Sequence, residues 1–240
     1  MTPLSRKTQL KSIDDVVPSR CDPLDALLGG GFTVGEITVV YGEAETGKTT
    51  LVIQTAIEAA RRGSKVLYID TDHSFTHQRF SQLAGEGADA VSEQILLFFP
   101  DTFSAQTSLV ESIENYLTPS ARLLVADTIT SLYRVGLGSA EQTFSLNREL
   151  NRQLAYLSTV AVRHKLVILL TSQVHARLDF PFGRIEPVAR RTIAHWPRTI
   201  IRLRNTSEHS RKEMIVERTR GLQTALRCSA KLTERGFESV

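Results

Sequence analysis

Cysteine, tryptophan and methionine are scarce: the 240 residues hold two, one and two of them. Cys21 and Cys228 stand near opposite ends of the chain. That spacing gives neither a metal knuckle nor a disulfide framework, so both are expected as reduced packing residues. No apolar run approaches the roughly 18 residues of a membrane span, and the opening MTPLSRKTQLKSIDDVVPSR lacks the apolar core of a secretory signal. A cytoplasmic protein without a membrane partner is the expectation. Internal repeats and low-complexity tracts are also missing. Net charge is small, +3, but unevenly spread: from Arg177 to Arg235 fourteen Lys or Arg face six Asp or Glu. A basic half suits a polyanion partner or a solvated basic surface, and charge alone leaves both open.

With 41% hydrophobic and 23% charged residues, the chain reads as one globular unit with a proper core. EITVVY (36–41), KVLYID (65–70), ILLFF (95–99), LLVAD (123–127) and KLVILLTSQ (165–173) are short, β-rich and almost wholly apolar. Strands buried on both faces of a parallel sheet have that composition. Helical stretches lie between them at 49–62, 104–117 and 145–164, the last with Leu150, Leu154, Leu157 and Val160 on one stripe. The alternation predicts an α/β fold with helices on both sheet faces. Residues 174–191, with two prolines and little periodicity, read as a long loop, and 198–204, 212–218 and 226–233 as antiparallel strands extending the sheet.

GEAETGKTT (42–50) fits G-x-x-x-x-G-K-[ST], with Gly42, Gly47, Lys48 and Thr49 in register between a predicted strand and a predicted helix. Glycines permit the tight turn, successive N–H groups face phosphate oxygens, and the helix amino terminus adds partial positive charge. Gly42, Glu43, Ala44, Glu45, Thr46, Gly47, Lys48, Thr49 and Thr50 are therefore the candidate phosphate cradle. Lys48 is placed to reach the β and γ phosphates and Thr49 to reach Mg²⁺. Asp127 ends an apolar strand. Alone it can also be a turn former or helix cap; beside a phosphate loop it reads as the second Mg²⁺ ligand. No Asn-Lys-x-Asp stretch of the guanine-reading kind occurs, which favours ATP. His73 and His77 are four apart without a third ligand nearby in sequence and are left as ordinary polar residues.

Phosphate binding does not separate a kinase, a switch, a motor or a recombinase. Larger blocks do: LDALLGGGFTVGEITVVYGEAETGKTTLVIQTA, VLYIDTDHSFTHQRF, LLVADTIT, RQLAYL, LLTSQVH and LTERGFESV, in that order from about Pro23 to Val240, resemble the RecA/RadA recombinase superfamily, and within it the archaeal RadB group. The resemblance implies a RecA-like P-loop ATPase core, with a mostly parallel central sheet flanked by helices and C-terminal antiparallel strands, using ATP and Mg²⁺. It puts Asp72 at the place of the family's water-activating Glu, one methylene shorter, so slow hydrolysis is expected. Arg79 matches the arginine that stacks on adenine. Gln173 matches the glutamine that senses the γ-phosphate and couples it to a DNA-binding loop; on its own it can also be a strand-end polar cap. Ser172 stands where the family writes Asn. His195 falls where related recombinases carry a histidine near the subunit boundary, and Trp196 is expected in core or interface.

The DNA loop at 174–191 offers Arg177, Arg184, Arg190 and Arg191, with Phe180 and Phe182 between them. The two rings read equally as base-stacking groups or as packing onto the domain or a partner. A second loop, 131–142, adds Tyr133 and Arg134. The expected organisation is a short segment over 1–22 and an ATPase core over 23–240, without the family's N-terminal helical domain or its Phe-x-x-Ala plug. The leading functional expectation is an accessory protein of recombination and repair that binds ATP and single-stranded or branched DNA and hydrolyses ATP weakly. It would modulate a RadA-type recombinase or a Holliday junction resolvase, with homo-oligomers allowed. A DNA-stimulated motor or active recombinase, and a signalling-type ATPase with a protein partner, stay open at this level.

Overall fold

The computed structural model describes residues 15–177, 184–193 and 195–239. Strand β1 (Val16–Val17) and helix α1 (Asp22–Leu28) precede β2 (Phe32–Thr33), which pairs antiparallel with β1. β3 (Ile37–Gly42) leads through the glycine-rich turn into α2 (Lys48–Arg61). β4 (Lys65–Asp70) leads into α3 (His77–Ala84) and α4 (Ala88–Ser92). β5 (Ile95–Phe98) is followed by α5 (Phe103–Glu111) and a 3-10 turn, Ile113–Tyr116. β6 (Ala121–Asp127) is followed by α6 (Ser131–Val135) and the long α7 (Ala140–His164). β7 (Val167–Ser172) runs into β8 (Val174–Arg177), β9 (Arg184–Pro187) and α8 (Arg190–Ile193). A meander closes the chain: β10 (Thr199–Asn205), β11 (Arg211–Thr219), β12 (Leu222–Thr233) and β13 (Gly236–Glu238).

The main sheet has nine strands in the order β13-β12-β11-β10-β3-β7-β6-β4-β5. From β10 to β5 neighbours are parallel, and from β10 to β13 they are antiparallel. One face carries α2 with Leu51, Ile53 and Ile57 in its core; the other carries α7, whose stripe Leu150, Leu154, Leu157 and Val160 is buried as its spacing predicts. Burying both faces explains why β3, β6 and β7 read as nearly continuous apolar runs. Among the described residues, no helix is long and apolar enough to cross a membrane.

Several expectations change. Within the stretch expected as a long loop, β8 pairs antiparallel with β9 and α8 follows. Alternation is hard to read there because the strands are four residues each and form a sheet of their own. The run at 198–204 is not purely antiparallel, since β10 lies parallel to β3 and starts the antiparallel meander on its other side. β5 is an edge strand with Leu96 45% exposed, so it is not buried on both faces. The helix expected over 104–117 stops at Glu111, where the Ser112 hydroxyl bonds back to the carbonyls of Ser108 (2.9 Å) and Leu109 (3.2 Å). Residues 131–142 hold α6 and the start of α7. That start is set by a capping box between Ser139 and Gln142, five residues before the apolar stripe made it visible.

The two cysteines, far apart in sequence, meet in one cluster. Cys228 pairs across the sheet with Met214, whose sulfur lies 4.0 Å from that of Cys21. Burial pushes the Cys21 thiol up to about 12 and the Cys228 thiol to about 11, so both stay protonated at neutral pH.

Candidate nucleotide-binding site

Four parallel strands, in the spatial order β3, β7, β6, β4, end at the same edge of the sheet. Their register brings Tyr41 opposite Ser172 and Asp70 opposite Asp127. The glycine-rich turn, Gln173, Asp127 and Asp72 therefore share one rim, where an open α/β sheet holds its ligands.

Two glycines of the turn are sterically required. A side chain on Gly42 would meet the Leu203 carbonyl oxygen at 2.5 Å, and one on Gly47, at φ +94°, would meet the Phe237 ring at 2.6 Å. Thr46 is buried and its hydroxyl donates to the Glu43 carbonyl at 2.8 Å, which pins the loop from inside. The amino terminus of α2 has no side-chain cap, so its first N–H groups face the loop. Lys48 curls over the turn and donates to the carbonyls of Gly42 (3.0 Å) and Glu43 (2.7 Å). Burial holds its ammonium below the usual lysine range, opposed by the charges of Asp127, Asp72 and Glu43.

Asp127 is 1% exposed. Burial pushes its carboxyl up and the neighbouring Asp70 adds to this, while the hydroxyls of Thr171, Thr49 and Tyr68 pull it down. Tyr68 donates to it at 3.0 Å, Ser74 at 3.4 Å, and Thr171 more closely. A buried carboxylate beside the Thr49 hydroxyl is an oxygen-only donor pair next to a phosphate-type loop. That fits Mg²⁺, which binds through one or two carboxylates with phosphates and water completing its shell.

Sequence reasoning missed Asp70, fully buried at the end of β4. It accepts from the backbone N–H of Asp72 (3.3 Å), Ser74 (3.1 Å) and Phe75 (2.8 Å), and so shapes the turn that holds Asp72 out toward solvent. The doublet Asp70-x-Asp72 is the signal that could have exposed the division of labour. His73 has φ +51° and lies in this turn, not on α3; its ring stacks on Phe99 at 5.8 Å.

The Gln173 amide makes two contacts. Its nitrogen donates to the Asp72 carboxylate at 3.2 Å, and its oxygen accepts from Arg134 of α6 at 2.7 Å. Arg79 donates to the Glu234 carbonyl (2.8 Å), Gln82 (3.3 Å) and the Thr50 hydroxyl (3.1 Å). Arg79, Thr49 and Asp127 thus border the turn, with Lys48 inside it.

Of the other residues singled out, Arg190 pairs with the buried Glu186 at 2.7 Å at the root of the β8–β9 hairpin. The backbones of Arg177 and Arg184 sit opposite each other in that hairpin and Arg191 lies in α8. The side chains of these three, and the whole of Phe180 and Phe182, lie outside the described residues. Tyr133 is not open to a ligand: it is 3% exposed and its hydroxyl donates to Asn147 at 3.0 Å. Trp196 packs on the α7-side core and donates to Asn151 at 2.9 Å.

Comparisons with known proteins agree with this geometry. The chain matches the Rad51 family over residues 15–238. It is 35% identical to the DNA repair and recombination protein RadB of Methanococcoides burtonii, over 86% of this chain and 90% of that one. It is 36% identical to the protein of the same name from Thermococcus gammatolerans, over 90% and 96%. A crystal structure of the RadB recombinase superposes with a TM-score of 0.80 at 32% identity, covering 94% of this chain and 100% of that one. The chain belongs to the Rad51 family, with its RecA-like α/β fold.

Proposed function

We propose that this protein is an ATP- and DNA-binding accessory factor of homologous recombination and DNA repair with weak ATPase activity, acting on a RadA-type recombinase or a Holliday junction resolvase. The observation that carries the reading is the Asp72–Gln173–Arg134 hydrogen-bond chain, which joins the phosphate rim to a basic side chain on α6. The name its relatives carry, DNA repair and recombination protein RadB, supports the setting.

The cradle N–H groups of residues 42–50 and the Lys48 ammonium bind phosphate oxygens, and Thr49 with Asp127 holds Mg²⁺. A Mg²⁺ ion held there would supply neutralisation of phosphate charge. Asp72 accepts a proton from the attacking water, but its short, exposed side chain is already engaged by Gln173, which keeps turnover slow. Gln173 has one donor and one acceptor in use, so a phosphate oxygen that takes its N–H also changes what holds Arg134. Arg134, Arg177, Arg184, Arg190 and Arg191 are assigned to DNA phosphates, a contact type that gives affinity without sequence reading. Residues 23–240 form the ATPase core in this reading, in the cytoplasm.

The test is the affinity of the full chain for labelled single-stranded DNA across a salt series, with and without ATP·Mg²⁺, while phosphate release is followed. Salt-sensitive binding with slow, DNA-insensitive turnover is expected, and Asp72→Glu should raise turnover. Absence of DNA binding points to a protein-partner ATPase. Turnover strongly stimulated by DNA points to a motor, and robust strand exchange by the protein alone refutes the accessory role.

A further inference from the structure

The glycine-rich turn is acidic where it meets solvent. GEAETGKTT carries two carboxylates against one ammonium, and Glu43, Ala44 and Glu45 are exposed while Thr46 is buried. The other carboxylates of the rim have their charge answered. Asp70 takes backbone N–H groups, Asp127 takes hydroxyls and Asp72 takes the Gln173 amide N–H. Burial lowers the Lys48 ammonium, and the charges that oppose this are those of Asp127, Asp72 and Glu43. Glu45 belongs to neither set. Among the described residues its carboxylate has no hydrogen-bond or ion-pair partner.

The backbone of Glu45 is unusual as well. Its φ is +61°, in the left-handed region where glycine is at ease and a side chain is strained. An exposed side chain without a partner does nothing to offset that strain. What it does contribute is an uncompensated negative charge on the turn whose N–H groups face phosphate oxygens. Coulomb repulsion from a fixed carboxylate grows with the charge of the ligand. ATP carries one more negative charge than ADP, with or without Mg²⁺, so the same carboxylate opposes it more.

We propose that Glu45 is a specificity-determining residue: it weakens the turn's hold on nucleoside phosphates, and most for the triphosphate, so that it narrows the preference for ATP over ADP. This rests on the reading of the glycine-rich turn as a nucleotide site and adds how that site ranks its ligands. Screening by salt should hide the effect, because the carboxylate acts through space and touches nothing.

The experiment measures ATP and ADP affinities by calorimetry on the full chain in Mg²⁺, at low salt and at about 1 M salt, where the screening length is about 3 Å. Glu45→Gln keeps the side chain and removes only the charge. At low salt it should tighten ATP about tenfold and ADP about threefold, the size of one to two unit-charge interactions at the effective dielectric of a protein surface. At high salt both gains should fall below about twofold. Glu45→Gly removes the charge and the left-handed strain together, and should match Glu45→Gln within about twofold if charge is the cause. Unchanged affinities in Glu45→Gln at low salt overturn the proposal alone. So does a gain confined to Glu45→Gly, which would make strain the cause, or a gain that survives high salt. Failure of ATP to bind any of the three proteins overturns the nucleotide reading and the role of Glu45 with it.

Discussion

Gln54 gives the sharpest test of how the site is held. It lies on α2, 2% exposed, with its amide nitrogen donating to the Ser19 carbonyl at 2.8 Å and its oxygen accepting from the Phe237 N–H at 2.8 Å. One side chain thus ties the segment before α1 and the β13 hairpin to the helix that follows the phosphate loop. Gln54→Leu preserves approximate volume and strands two buried backbone groups, each costing about 1–3 kcal/mol. Some of that is offset by burying leucine in place of an amide, so a net loss of about 2–4 kcal/mol is expected, a large share of the roughly 5–15 kcal/mol typical of a domain. Urea unfolding should show the midpoint falling with an unchanged slope, and hydrogen exchange should show the Phe237 amide losing protection. Gln54→Glu retains the acceptor for Phe237 but turns a carboxylate toward the Ser19 carbonyl. Stability should still fall, whereas protection of that amide should survive. A Gln54→Leu loss under about 1 kcal/mol at constant slope would refute the argument, because two orphaned backbone groups cannot cost so little.

Two further perturbations follow from local chemistry. Ser139→Ala removes the reciprocal cap of α7 and should lower stability by about 1 kcal/mol in urea unfolding, while Ser139→Asp should lose only a few tenths. Asp25, whose carboxylate takes the Ser19 N–H at 2.9 and 3.1 Å, is pushed by burial from 3.8 up to about 6. Between those values the folded state binds the extra proton, so this group's contribution to stability falls as pH rises from about 4 to about 6 and is level above. Asp25→Asn should flatten that slope, by at most about 3 kcal/mol before solvent screening reduces it, in unfolding curves taken across the window.

What could be read in the sequence divides along range of interaction. The strands β3, β4, β6 and β7 and the glycine-rich turn were legible because their signals are local: apolar runs, and a motif whose spacing comes from the size of a phosphate group. Asp127 and Gln173 were legible by position, since each stands at the end of such a run. The β8–β9 pairing was not, because four-residue strands outside the main sheet show neither burial on both faces nor clear alternation. Tyr133, expected in a loop open to DNA after the Asp127 strand, lies instead in α6, where packing against Phe103 and Asn147 buries it. Gln54 and the Glu234 carbonyl could not be found at all. One is a polar residue in the middle of a helix and the other a backbone group, and both acquire meaning only when β13 returns to α2.

The pair Asp70 and Asp127 shows how the fold gives two identical side chains different work. They face each other in register on adjacent strands, both buried, and share the Ser74 hydroxyl, yet their remaining partners differ in kind. Asp70 collects backbone N–H groups from the turn that follows it. Those donors are fixed in direction by the chain, so the carboxylate is consumed in shaping the turn. Asp127 collects hydroxyls from Thr171, Tyr68 and Ser74, with that of Thr49 close by, and hydroxyls can redirect to another acceptor at little cost. Burial and the neighbouring Asp70 both press its charge upward in energy. A divalent cation at Asp127 would offset that desolvation and that repulsion at once, whereas the same ion at Asp70 would have to compete with the turn's own backbone. On these partners, the carboxylate that would gain most from a metal is the one beside Thr49.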